Sequence, residues 1–193
     1  VNFIPITHVD PSLMLHQIDA RPDLWDQRPE RRTAPGSPHS RMQDIWVRYN
    51  RPERIGHPGF NDEHVPANYP AWYALPAVRR VCFNLMALVE GEMLGGVLIT
   101  RIPHGHSIDR HVDRGWHVDY FQKFYVALRS APGAVFHCET DGKQDSLCPE
   151  PGAVHLFDNR KPHWVTNDSG QDRMTLIVCI RTEKEFGQCL SPL

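Results

Sequence analysis

Beyond Leu75 the chain reads as one helical pattern followed by a run of short strand-like patterns. PAVRRVCFNLMALVEGEML sets Val78, Val81, Cys82, Leu85, Met86 and Val89 at helical spacing, and Pro76 suits a first turn, so this stretch predicts a helix. GGVLITRIP (95–103) predicts a strand, as do KFYVALRS (123–130), AVFHCE (134–139), AVHLFD (153–158), HWVTN (163–167) and RMTLIVCI (173–180). Gly133, Asp141-Gly142, Pro151-Gly152 and Asn167-Asp168-Ser169-Gly170 punctuate them as turns. About eight strands at this spacing predict a mainly β protein, a sandwich or barrel of antiparallel sheet with flanking helices.

Upstream, the pattern is broken by proline. Residues 11–27 predict one or two short helical turns interrupted at Pro22, and 28–42 read as a polar, ordered surface loop. QDIWVRY (43–49) alternates Ile45, Val47 and Tyr49 against Asp44, Trp46 and Arg48, which predicts a strand exposed on one face. A second proline- and glycine-rich stretch, 51–70, follows. We expect a single domain over 1–193, with 1–75 a helical and loop elaboration and 76–193 a helix plus the sheet core.

The 193 residues carry 21 Lys and Arg against 23 Asp and Glu, so the net field offers no attraction to nucleic acid or to a membrane surface. Arg28, Arg31, Arg32, Arg41, Arg48, Arg51 and Arg54 crowd the N-terminal third and read first as a solvated loop, second as a binding patch. Cys82, Cys138, Cys148, Cys179 and Cys189 show no C-x-x-C spacing and are expected as free thiols. No window approaches the roughly 18 apolar residues of a membrane span. With no basic-then-apolar leader in VNFIPITHVD, the expected location is cytoplasmic. Oligomeric state is left open.

The chemistry lies among the histidines between 104 and 163. SIDRHVDRGWHVDY contains His-Val-Asp twice, at 111–113 and 117–119. In a strand, residues i and i+2 point to one side, so His-x-Asp brings an imidazole and a carboxylate to one ion. A histidine from a distant strand completes a facial triad with open positions. His163, at the start of a strand after a turn, is placed to do this. Arg173 and Thr175, again i and i+2, put a guanidinium and a hydroxyl on one strand face, suited to gripping the far carboxylate of a dicarboxylate. The turn at 168–170 is expected to return this strand beside the one that carries His163. Isolated histidines such as His137 and His155 read as ordinary core or surface residues, and Trp46, Trp72 and Trp164 as core or wall.

The segments GEMLGGVLITRIPHGHSIDRHVDRG, KFYVALRSAPG and GAVHLFDNRKPHWVTNDSGQDRMTLIV resemble the aspartyl/asparaginyl β-hydroxylase family of 2-oxoglutarate oxygenases, especially its small bacterial and phage-type members. The resemblance implies a double-stranded β-helix (a jelly-roll, cupin-like fold). It implies Fe(II) on His111, Asp113 and His163, and 2-oxoglutarate with its 5-carboxylate on Arg173 and Thr175. Dioxygen would be co-substrate, with ascorbate as reductant in vitro. Lys123 and Tyr125 stand where the family usually shows R-x-H and are carried over as co-substrate residues. The first triplet is preferred because it follows the glycine-containing lead-in IPHGHSID; the 117–119 triplet is the alternative. His117, with Trp116 and Tyr120, is then expected on the rim, and Arg48 is a candidate for an anionic substrate group. Asp113 favours hydroxylation over halogenation. The implied reaction is hydroxylation of an unactivated C–H bond in an Asp- or Asn-like amino acid, peptide or protein side chain. A cupin-like zinc enzyme and a catalytically silent binding module are the competing readings.

Overall fold

Alternation along RMTLIVCIRT separates two environments and sets the architecture. Met174, Leu176, Val178 and Ile180 share one core with the helices, whereas Ile177 and Cys179 belong to a second cluster on the opposite face. Arg173 and Thr175 lie on that second face too, as buried polar residues. A strand apolar towards a helical layer and mixed towards a second sheet is one wall of a two-sheet clamp.

The computed structural model describes residues 2–60 and 63–182. In chain order its elements are β1 (Phe3–His8), α1 (Ser12–Asp19), α2 (Glu30–Thr33), β2 (Gln43–Asn50), β3 (Pro66–Asn68), α3 (Pro70–Ala74), α4 (Pro76–Leu88), β4 (Gly91–Ile102), β5 (His106–His111), α5 (Trp116–Tyr120), β6 (Gln122–Arg129), β7 (Ala134–Thr140), β8 (Lys143–Leu147), β9 (Ala153–Phe157), β10 (His163–Asn167) and β11 (Arg173–Thr182). A seven-stranded sheet runs β1-β9-β6-β11-β4-β2-β3, and a four-stranded sheet runs β5-β10-β7-β8. The pairs are antiparallel, and the fold is the double-stranded β-helix.

Pro76 opens α4, where its missing N–H costs nothing. The helix lays Val78, Cys82, Leu85 and, just past its end, Val89 on the outer face of the large sheet, against Phe124, Val126, Leu128 and the even-numbered residues of β11. Each such fully buried side chain contributes roughly 1.5–3 kcal/mol. Between the sheets, Phe3, Ile102, Ile108, Phe136, Phe157 and Val165 form a smaller core.

Three expectations change. Besides the expected strand β2, the N-terminal third supplies strands β1 and β3 to the large sheet as well as helices and loops. Pro5 is tolerated in β1 because that strand lies at the sheet edge. Strand β2 is not exposed on one face: Asp44, Ile45, Trp46 and Val47 are all buried, because β2 is flanked by β4 and β3 and covered on both sides. Finally, β11 does not return beside β10. The 168–172 turn crosses from the small sheet to the large one, held by Asn167, whose amide donates to the Ile102 and Gln171 carbonyls (2.8 Å each). Cys82, Cys138 and Cys179 are buried free thiols, Cys148 is an exposed one, and Cys189 lies outside the described residues. No helix among the described residues is long and apolar enough to cross a membrane.

Candidate metal centre

Antiparallel pairing of β5 with β10 sets His111 opposite His163, with ring centroids 4.2 Å apart. Each ring is fixed in the same way. His111 Nδ1 hydrogen-bonds the Asp109 carbonyl at 2.7 Å, and His163 Nδ1 the Lys161 carbonyl at 2.8 Å. A carbonyl only accepts, so both protons sit on Nδ1 and both Nε2 atoms keep their lone pairs. This is the arrangement that ligating histidines use.

Asp113 lies just past the end of β5. Its Oδ2 accepts from Lys123 Nζ (2.6 Å) and Asn159 Nδ2 (2.7 Å), while Oδ1 stands 3.5 Å from His111 Nε2. One carboxylate oxygen is thus anchored and the other faces the imidazole. Burial alone would raise the Asp113 pKa, but the Lys123 ammonium beside it outweighs that and holds the carboxyl well below its usual range. Burial likewise opposes the charged form of Lys123, and Asp113 holds it above its usual range. Burial, helped by the neighbouring His111, pushes His163 down to about 4, so its imidazole is neutral and available near pH 7. Two neutral imidazoles and one carboxylate suit Fe(II) with positions left open.

A third imidazole is present. The donor atoms of His39, His111 and Asp113 all lie within 4.8 Å of one another, and the His39 ring meets His111 edge-on at 4.9 Å. Nothing in SPHSR marks His39 as special in the sequence, because it sits in a polar loop with no periodicity. Arg31 Nη2 reaches His39 Nε2 at 3.2 Å, and Arg31 in turn pairs with buried Asp44 at 3.1 Å. Proximity alone would choose His39 as third ligand. Its Nε2 lone pair is already engaged by a guanidinium, whereas among the described residues the His163 ring is bonded at Nδ1, and on this ground the donor chemistry favours His163.

Arg173 and Thr175 come together on the inner face of β11, 4% and 2% exposed. Arg173 Nε and Thr175 Oγ1 are buried without a hydrogen-bond partner among the described residues. They line a cavity with Tyr125, His155, Phe136 and Phe157, and the guanidinium stands 5.9 Å from the Phe136 ring centroid. Burial lowers Arg173 to about 10, which leaves it charged near pH 7. A buried cation and an unpaired hydroxyl are costly unless a ligand brings them a carboxylate. The residues therefore fit 2-oxoglutarate. Tyr125, pushed up to about 12 by burial, lies in the same cavity. Lys123 does not: it is committed to Asp113, because its ammonium is the nearest cation able to neutralise that carboxylate.

A second cleft, of about 140 Å³, is lined by Asp113 with Arg31, Tyr49, His64, Arg114, His117 and Lys123, among others. His117 belongs to the wall rather than to the rim. It is 8% exposed, and burial pushes it down to about 3. The second His-Val-Asp triplet falls on α5, where i and i+2 diverge, and Asp119 is exposed. Trp116 and Tyr120 stack on each other at 4.4 Å and lie outside the described lining of the cleft. Arg48 also points elsewhere, donating to the Leu94 carbonyl and Asn68. A register shift in β2 between Trp46 and Arg48 reverses the alternation there, so Tyr49 reaches the cleft and Arg48 does not.

A family model described as Aspartyl/Asparaginyl beta-hydroxylase matches residues 68–182. Among solved structures, an oxidoreductase of the 2OG-Fe(II) oxygenase family from Burkholderia pseudomallei is similar at TM-score 0.54 and 15% identity, over 72% of this chain and 66% of that one. This chain thus spans just under two thirds of that protein's length. A Trichoplax adhaerens prolyl hydroxylase, solved with a hypoxia inducible factor peptide fragment, is similar at TM-score 0.60 and 14% identity, over 92% and 80% of the two chains. A Pseudomonas putida prolyl-4-hydroxylase is similar at TM-score 0.54 and 17% identity, over 95% and 94%. At such identities these likenesses speak for the fold. No curated protein matches the sequence.

Proposed function

The chain belongs to the aspartyl/asparaginyl β-hydroxylase family of Fe(II)- and 2-oxoglutarate-dependent oxygenases, and from that premise we propose which residues perform the reaction and on what. His111, Asp113 and His163 hold the metal, and Arg173 with Thr175 holds the 5-carboxylate. The substrate is an amino acid, free or within a peptide or protein, with an Asp- or Asn-like side chain. The observation that carries this reading is the buried pair Arg173 Nε and Thr175 Oγ1, without a hydrogen-bond partner among the described residues, between the same two sheets as the histidine pair.

With the metal bound, 2-oxoglutarate and dioxygen supply the oxidising power that converts C–H to C–OH, 2-oxoglutarate leaving as succinate and carbon dioxide. The protein's own residues do the positioning. Lys123 and Asn159 aim Asp113 by holding one of its oxygens. Phe136, Phe157 and Tyr125 wall the co-substrate cavity and exclude water from it. In the second cleft, Arg114 offers a cationic partner for a carboxylate, and the Nε2 of His117, without a hydrogen-bond partner among the described residues, offers a neutral polar contact. That lining supports a small polar or anionic side chain as the group presented to the metal.

The test is succinate formation by protein reconstituted without oxygen, then supplied with Fe(II), ascorbate, 2-oxoglutarate and oxygen. Asp, Asn, other amino acids and short peptides form the substrate panel. We expect iron-dependent turnover, stimulated by an acidic or amide member of the panel and lost in His163→Ala. No succinate together with no 2-oxoglutarate binding overturns the reading.

A further inference from the structure

We propose that His39 donates its Nδ1 hydrogen to the 1-carboxylate of 2-oxoglutarate beside the metal, and that Arg31 keeps the ring in the tautomer that does so. The inference rests on the co-substrate reading above and assigns a residue outside the triad and outside the Arg173 cavity.

Four observations carry it. First, place: a ring nitrogen of His39 lies within 4.8 Å of the donor atoms of His111 and Asp113. Second, tautomer: Arg31 Nη2 lies 3.2 Å from His39 Nε2, and a guanidinium only donates, so Nε2 accepts and the proton of the neutral ring is on Nδ1. A protonated Nδ1 and an engaged Nε2 leave His39 no lone pair for a metal. Third, the unmade bond: His39 Nδ1 is buried with no hydrogen-bond partner among the described residues, although an N–H in such a place is costly to leave unpaired. Fourth, the vacancy in the grip: Lys123 is tied to Asp113 at 2.6 Å and is not free to hold a carboxylate.

A carboxylate is acceptor-only when ionised, so a fixed N–H donor is its complement and a bare imidazole lone pair would repel it. The donor is mounted firmly. Arg31 is pinned by Asp44, which is 3% exposed on β2. The loop is also tied by Ser37, whose Oγ donates to the Arg31 carbonyl at 2.6 Å and accepts from the His39 backbone N–H at 3.1 Å. Arg31 is accordingly a positioning residue, acting through His39.

The experiment is calorimetry of Mn(II) binding, then of 2-oxoglutarate binding to the Mn(II)-loaded protein, for the parent, His39→Leu, His39→Asn, Arg31→Met and His163→Ala. Circular dichroism checks that each variant folds. In His39→Leu we expect Mn(II) affinity within about threefold of the parent and 2-oxoglutarate affinity about ten- to a hundredfold weaker, the size of a hydrogen bond to a charged group. His39→Asn, which keeps a donor near the Nδ1 position, recovers most of the loss. Nitrogen-15 shifts of the parent report His39 protonated at Nδ1, and Arg31→Met mixes the tautomers and weakens 2-oxoglutarate. If His39→Leu loses Mn(II) as severely as His163→Ala, His39 is a ligand and the proposal fails. If neither affinity moves, the residue is structural and the proposal also fails. A parent that binds Mn(II) but not 2-oxoglutarate overturns the co-substrate reading itself.

Discussion

Thr175 stands in a place where valine would fold more comfortably. Its hydroxyl is buried beside the Arg173 guanidinium with no partner among the described residues, and an unsatisfied buried hydroxyl costs about 1–3 kcal/mol. Thr175→Val is therefore expected to stabilise the metal-free protein, by about 1 kcal/mol in urea unfolding, while weakening 2-oxoglutarate several-fold in calorimetry. Loss of stability with unchanged binding would mean that the hydroxyl serves the fold and not a ligand. At this scale the sequence is legible where chemistry coincides with period. Arg173 and Thr175 are two apart on a strand, and so are His111 and Asp113 at a strand end. His39 and Arg31 are not legible, because one sits in a polar loop and the other in the single-turn helix α2, neither with apolar periodicity, and only the Arg31 pair with Asp44 and its contact with His39 bring them to the site. The role of Lys123 is half legible: a cation is expected there, and only its 2.6 Å contact with Asp113 reveals which carboxylate it serves.

Among the elements, β4, α4, β6, β7, β9, β10 and β11 follow from apolar alternation, helical spacing and turn residues. Strands β1, β3, β5 and β8 fall outside the predicted runs; β5 and β8 read HSIDRH and KQDSL, and polar runs of this kind are at home in a sheet with one face towards solvent. That miss matters, since β5 carries His111. The β2 register shift was equally invisible, because one extra residue changes which side chains face the cleft without changing the composition. Strand β4 owes part of its sequence to a neighbour. A Cβ on Gly95 would lie 2.7 Å from ring atoms of Phe121, itself 2% exposed. Gly95→Ala is expected to cost about 1–3 kcal/mol in urea unfolding, as overpacking against a ring that has no room to retreat. A cost below 0.5 kcal/mol, within the range of an ordinary surface change, would show that α5 shifts freely.

The whole molecule divides its labour between two sheets. The small sheet brings His111 and His163 together, the large sheet supplies Arg173 and Thr175, and the clamp between them makes one site from both. Burial of neutral histidines in that clamp ties its stability to pH. His117 is pushed from about 6.5 in the unfolded chain to about 3 by burial, so below pH 6.5 the unfolded state binds a proton that the folded state refuses. Its contribution is constant above pH 6.5 and falls by up to about 1.4 kcal/mol per unit as the pH drops from 6.5 towards 3. His117→Phe is expected to reduce the loss of urea stability between pH 7 and pH 5 by about 2 kcal/mol; an unchanged loss would place the titration elsewhere. The most direct measurement of the central claim is the visible charge-transfer absorption of the Fe(II)-loaded protein when 2-oxoglutarate is added without oxygen. The account predicts a band in the parent that is absent in His163→Ala. No band in the parent, or an undiminished band in His163→Ala, would contradict it.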